Sequence, residues 1–158
     1  MDQISQEIRV EQVRVELTRR LREAVLRPGF PPAMSVYPSD TLLDAQHFAA
    51  WLGNKIVGVA SIHPEPLTGF ENKRSWRLRG MAVDPSFQGT GIGKQILDEC
   101  LKFIKQFDGE ILWCNGRKTA LKFYQSFGFN IIGEEFEVAE SGPHFVMILP
   151  VENRKEKL

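Results

Sequence analysis

Arg79-Gly80-Met81-Ala82-Val83-Asp84-Pro85-Ser86-Phe87-Gln88-Gly89-Thr90-Gly91-Ile92-Gly93-Lys94 reads as a strand, a turn and a glycine-rich entry into a helix. Strand character starts at Trp76, and Asp84-Pro85 ends it because proline cannot donate to a ladder. Glycines let successive backbone N–H groups converge without Cβ interference. The helix that opens there adds roughly half a positive charge at its N-terminus. Such a loop suits a diphosphate with little help from basic side chains, although Lys94 stands ready in the first turn.

Counting separates the phosphate motifs. A P-loop needs four residues between its first glycine and Gly-Lys-[Ser/Thr]. Gly89 to Gly93 leaves three, and Gln95 stands where the hydroxyl should be. A dinucleotide fingerprint requires Gly-x-Gly-x-x-Gly, and from Gly89 its last position is Lys94. Both fail. The pattern that fits is Gln-x-x-Gly-x-Gly behind Ala-Val-Asp-Pro.

Working outward, a helix is predicted from Gly91 to Phe107 with Ile92, Ile96, Cys100, Leu101 and Ile104 on its buried face. A short strand, Ile111 to Cys114, precedes a helix from Thr119 to Phe127, for which Gly128 is the C-terminal cap. Asn130 to Val138 and His144 to Leu149 are the last strands, joined around Ser141-Gly142-Pro143. Upstream, Ile8 to Val10 is a strand. Val13, Leu17, Leu21, Ala24 and Val25 then mark one helix face, stopped by Pro28-Gly29. Phe30 to Asp40 is a loop with three prolines. His47 to Trp51 and Ile56 to Ile62 form a hairpin through Gly53-Asn54. The order β, α, β, β, β, α, β, α, β, β gives an α/β (α+β) fold: a mixed sheet covered by helices.

With 158 residues, one domain over residues 1–150 is expected, followed by a charged, frayed tail at 151–158. Lys plus Arg equals Asp plus Glu at 20 each, so there is no basic footprint for nucleic acid and no polybasic membrane anchor. Cys100 and Cys114 lack metal-type spacing and read as small core hydrophobes, and no metal is expected. Without a signal peptide or a long apolar run, the expected place is the cytoplasm.

A second stretch, Leu112-Trp113-Cys114-Asn115 with Ala120, Phe123-Tyr124 and Phe127-Gly128-Phe129, completes a pair of motifs. With both in hand, the chain resembles the GNAT superfamily of N-acetyltransferases over about Trp76 to Ile132. Val25-Leu26-Arg27-Pro28-Gly29 and Trp76-Arg77-Leu78-Arg79-Gly80-Met81 look like a bacterial subgroup without an assigned acceptor. The resemblance implies a mostly antiparallel sheet of about six to seven strands whose fourth and fifth strands splay apart. It implies acetyl-CoA as donor, its diphosphate on Gln88, Gly89, Thr90, Gly91, Ile92, Gly93 and Lys94. Backbone groups of Met81, Ala82 and Val83 would pair with the pantetheine arm, Asn115 would bond it, and Tyr124 would protonate the leaving thiolate. Gly116 departs from the alanine usual there, with slight effect expected. The acceptor would be a small-molecule or peptide amine, and the resemblance also allows a homodimer.

The base is harder to read. An amine of pKa near 10.4 is about three units too protonated at pH 7, a cost of roughly 4–5 kcal/mol. Fourth-strand positions that hold Glu or His in some GNAT enzymes look like Arg77 and Arg79 here, and arginine is no base. Glu65, His63 and His144 are the remaining candidates, unless water serves. Uninterrupted alternation would put Arg77 and Arg79 on one strand face with Met81 and Val83, which suggests an anionic group beside the acceptor amine. The missing base leaves a second reading open, an acyl-CoA-binding module without turnover.

Overall fold

Seven strands make one mixed sheet in the computed structural model, which describes residues 7–153. They are β1 (Ile8–Gln12), β2 (Gln46–Leu52), β3 (Lys55–Pro64), β4 (Ser75–Val83), β5 (Ile111–Arg117), β6 (Asn130–Val138) and β7 (Gly142–Pro150). The spatial order is β1-β2-β3-β4-β5-β7-β6, so the last strand inserts between β5 and β6. Beside the antiparallel pairs, β4 and β5 run parallel over Ser75↔Ile111, Trp76↔Leu112 and Arg77↔Trp113. That ladder ends at Trp113 although β5 continues to Arg117. The described residues divide into two compact units, drawn from Met1–His63 with Gly80–Cys100 and from Pro64–Arg79 with Leu101–Leu158.

In the first unit, β1, β2 and β3 form an antiparallel meander. Gly53 has φ 59°, the first central position of a two-residue hairpin turn that only glycine fills cheaply. Leu21, Ala49, Val59 and Ala82 form one core cluster. Gly58 admits helix α2 (Ile92–Gln106) to the sheet: a Cβ there would lie 2.7 Å from Ile96 Cδ1 and 3.0 Å from Ile92 Cγ2. The predicted buried face of α2 is buried, Leu97 included.

The first helix departs from its periodic reading. Residues 15–26, here α1, pass from a 3-10 turn (Val15–Thr18) through one α turn (Arg19–Leu21) to a π turn (Arg22–Leu26). Leu17, placed on the buried face by spacing, is 36% exposed, whereas Arg22 is fully buried. A buried guanidinium with fixed partners outweighs the 3.6-residue pattern.

In the second unit, β5 pairs with β7 along its whole length, from Ile111↔Pro150 to Arg117↔His144. Asn115 therefore lies inside a strand, opposite Val146, and β5 runs three residues beyond the predicted Cys114 end. Helix α3 (Leu121–Phe127) closes at Gly128, φ 122°, whose N–H donates to the Tyr124 and Gln125 carbonyls. Val151 is buried and its N–H donates to Glu110 O at 2.9 Å, so the described chain is anchored to that point. The rest of the tail expected to fray, from 154 on, lies outside the described residues. Among the described residues no helix is long and apolar enough to cross a membrane.

Candidate functional site

The glycine loop is held by its side chains and offers its backbone. Gln88 Nε2 donates back to Val83 O at 3.0 Å, and the Thr90 hydroxyl donates to Phe87 O. Asp84 accepts from Ser86 N–H at 2.9 Å, which, with Lys55 Nζ 3.7 Å away, keeps its carboxyl below the usual range. Two residues of the expected grip thus spend their side chains on loop shape. Gly89 and Gly91 have φ of 80° and 89°, and nothing lies within 4 Å of where a Cβ would stand at either. Both are exposed, while Ile92 and Gly93 turn into the protein and Lys94 is half-buried. Gln95 N–H closes the first helical bond on Gly91 O at 3.1 Å. The amides of Ile92, Gly93 and Lys94 therefore lack intrahelical acceptors, as in any first turn. An exposed, glycine-lined edge with first-turn amides fits a diphosphate.

On β4, Ala82 is buried, and Met81 and Val83 are half-buried. The expectation that Arg77 and Arg79 share a face with Met81 and Val83 needs correction. Gly80 has φ 63°, which breaks the pleat. Trp76 packs edge-to-face on Phe103 of α2, yet Val83, seven residues on, lies with Ile92 and Ile96 of the same helix beside Gly58. Counting by twos across Gly80 fails.

Arg77 is occupied. Its Nη1 lies 3.1 Å from Glu65 Oε2, and its guanidinium stands 4.9 Å from the Trp113 ring centroid. Arg79 is half-buried and also has interactions of its own. Glu65, weighed above as a base, is fixed at three points. Its N–H donates to Ser75 O, its carbonyl accepts from Trp113 Nε1 at 3.0 Å, and its carboxylate meets Arg77. His63 is buried and has partners, and His144 is buried with Nδ1 2.8 Å from Gly142 O. An open groove of about 410 Å³ has Glu65, Leu67, Trp113, Asn115, Ile132 and Val146 among its walls.

Tyr124 lies with the even-numbered side of β5. A Cβ on Gly116 would stand 3.2 Å from its ring and 3.2 Å from Met147 Sδ, so the bare glycine gives the ring its seat. A methyl there would be closer than an ordinary contact to both Tyr124 and Met147, which would have to give by a few tenths of an ångström. The ring is 7% exposed and packs edge-to-face on Phe129. Burial, reinforced by neighbouring Cys114 and opposed by Arg117, raises the phenol well above its usual value, so it keeps its proton at neutral pH. The Cys114 thiol is likewise pushed up to about 12 by burial and stays a thiol. Among the described residues no group of three His, Cys, Asp or Glu could hold a metal ion.

Sequence reasoning missed a buried polar network in the first unit. Arg22 makes a forked pair with Asp40 (2.8 and 2.9 Å), donates to Ser35 O and Ser61 Oγ, and lies 4.1 Å from the Tyr37 ring centroid. Ser61 Oγ in turn is 2.7 Å from His47 Nδ1. Gly80 makes room: a Cβ there would fall 2.8 Å from Arg22 Nε. Burial alone would raise Asp40, but Arg22 and the Tyr37 N–H outweigh it and leave the carboxyl below its usual value. The polar partners lie far apart in sequence, so only an apolar helix face interrupted by arginine could have signalled them.

Residues 39–147 match the family model described as "Acetyltransferase (GNAT) domain". The chain belongs to the GNAT acetyltransferase family. The uncharacterized N-acetyltransferase YitI of Bacillus subtilis is 24% identical over 140 residues, covering 89% of this GNAT chain and 94% of that protein. Two solved structures show the same fold. FeeM, an N-acyl amino acid synthase from uncultured soil microbes, aligns with a TM-score of 0.77 at 13% identity, over 94% of this chain and 93% of its own. An aminoglycoside 6'-N-acetyltransferase complexed with coenzyme A aligns at 0.69 and 13% identity, over 94% and 99%.

Proposed function

We propose that this GNAT chain transfers the acetyl group of acetyl-CoA to the primary amine of a small molecule or peptide. The observation that carries the reading is the loop from Gln88 to Gly93, with two left-handed glycines exposed before the first turn of α2. Loop amides and those of Ile92, Gly93 and Lys94 hold the diphosphate, while Met81, Ala82, Val83 and Asn115 bind the pantetheine arm. Acetyl-CoA, when bound, supplies the thioester carbonyl that the amine attacks. As the new C–N bond forms and the C–S bond breaks, Tyr124 gives its phenolic proton to the leaving sulfur. Water takes the surplus proton of the ammonium, and the phenol is restored from solvent. The phenol keeps its proton at neutral pH, as an acid must, and burial makes it a weaker acid than a free tyrosine, which its closeness to the leaving sulfur has to offset.

The occupied Arg77 weighs against its pairing with an acceptor carboxylate, and Arg79 too has interactions of its own. We extend the proposal to one domain over residues 1–150, since the family match at 39–147 runs through both units. Two free, buried cysteines suit the reducing cytoplasm. Calorimetric titration with CoA tests the reading. One-site binding that weakens when Gly91 is replaced supports it, and absence of binding at millimolar CoA overturns it.

A further inference from the structure

Two neighbouring residues of α1 bear on two positions of β4. Leu21 shares one buried cluster with Ala82. Arg22 stands against Gly80, where a Cβ would lie 2.8 Å from its Nε and 3.4 Å from its Cζ, with Tyr37 Cε2 at 3.1 Å. The guanidinium thus occupies the space that any other residue at position 80 would need. Between these two positions lies Met81, the first residue of the segment that runs to Val83.

A strand broken at glycine has no direction of its own. With φ 63° at Gly80, the pleat is interrupted at the residue that loses most freedom on folding, so an outside support must fix how the chain leaves it. Arg22 is a rigid support. Its Nη atoms donate to Asp40 Oδ2 and Oδ1 at 2.8 and 2.9 Å, to Ser35 O at 3.0 Å and to Ser61 Oγ at 2.8 Å. The Tyr37 ring lies 4.1 Å from it, and the side chain is fully buried. Asp40 is held in turn by Tyr37 N–H at 2.9 Å, and Ser61 by His47 Nδ1 at 2.7 Å.

Stability alone does not account for this arginine. A buried ion pair roughly breaks even against apolar packing. Among the described residues Nε is the one guanidinium nitrogen without a hydrogen-bond partner, and a buried donor left unpaired is a cost. That nitrogen is also the atom nearest to the bare position at Gly80. We propose that Arg22 is a positioning residue for the donor strand. By filling the space beside Gly80 it fixes the break in β4, and with it the direction in which Met81, Ala82 and Val83 present their backbone groups. Asp40, Ser61 and Tyr37 act through Arg22. Calling these three residues the donor strand rests on the acetyltransferase reading, whereas their placement by Arg22 does not.

Arg22→Lys isolates the contact. Lysine keeps a charge for Asp40, so no buried carboxylate is stranded, but it has neither the fork nor a nitrogen in the place of Nε. In NMR spectra of the isotope-labelled full chain, the amide resonances of Ala82 and Val83 should move further than those of β7. Calorimetric titration with CoA, at a temperature where circular dichroism shows the variant folded, should give an affinity about tenfold weaker than wild type. Asp40→Asn keeps the shape of the carboxylate and one acceptor for the fork, so it should act in the same direction with a smaller effect, and it serves if the lysine variant fails to fold. Unmoved resonances would overturn the proposal. So would moved resonances with CoA affinity equal to wild type, the mark of an arginine that serves the fold alone. Moved resonances in a chain whose wild type binds no CoA would leave the placement of β4 standing and remove the donor reading. Unmoved resonances in a chain that binds CoA would do the reverse.

Discussion

Tyr124 leans on bare backbone at Gly116, and that contact makes the phenol sensitive to one methyl group. Gly116→Ala would bring a Cβ to 3.2 Å from the ring, tighter than an ordinary contact, so the ring must shift. Thiol release should fall by about tenfold with CoA affinity nearly unchanged, since an ångström of misplacement costs up to about a hundredfold. Tyr124→Phe removes the proton itself and should lower kcat by about a hundredfold or more. Steady-state kinetics beside a CoA titration separates these losses from lost binding, and an unchanged kcat in Tyr124→Phe would exclude the phenol as the acid. The tyrosine could be singled out from its motif, but the seat at Gly116 could not. It depends on β5, α3 and β7 meeting, which no local stretch encodes.

Among the elements, α2 was the most legible, because its apolar spacing and glycine entry both have local causes. Its opening turn carries the next expectation. Gly91→Ala finds open space but must hold φ near 89°, at a cost of about 1–2 kcal/mol. CoA affinity should drop by about tenfold while thermal stability changes little if the loop relaxes. A variant that binds CoA as tightly as the wild type would remove the loop from the donor site. The strand β4 was legible in extent but not in facing, because Gly80 inserts a left-handed residue that composition does not announce. Helix α1 was misread for a related reason. Its buried Arg22 obeys partners on β3 and the 31–42 segment rather than the helical period.

For the molecule as a whole, the same network sets how stability responds to acid. His47 is held below its usual 6.5, chiefly by burial and also by Arg22, with Asp40 opposing. A histidine with a lowered folded pKa contributes stability above about pH 6.5 that is lost as pH falls below it, because the unfolded chain binds the proton first. Asp40, also lowered, adds the same sign of loss further down, below its ordinary value of 3.8. Thermal unfolding at pH 7.5 and 5.5 should show the lower Tm in acid, and His47→Gln should narrow the difference. Asp40→Ala strands a fully buried guanidinium and should cost about 3–5 kcal/mol in chemical denaturation. A cost below about 1 kcal/mol would mean that the pair does not hold this unit together. The class of fold, the glycine turn into α2 and the family motifs were legible because each is written in a continuous stretch. The Glu65–Arg77–Trp113 arrangement and the Arg22 network were not, since they join residues separated by turns and strands.

The most direct test of acetyl transfer is thiol release from acetyl-CoA, followed across primary amines that include arylalkylamines, amino acids, polyamines, aminoglycosides and peptides. Release that rises with amine concentration, saturates and falls with Tyr124→Phe is the expected result. Thiol release no faster with any amine than without one, from a chain that still binds CoA, would contradict it and leave a binding module in its place.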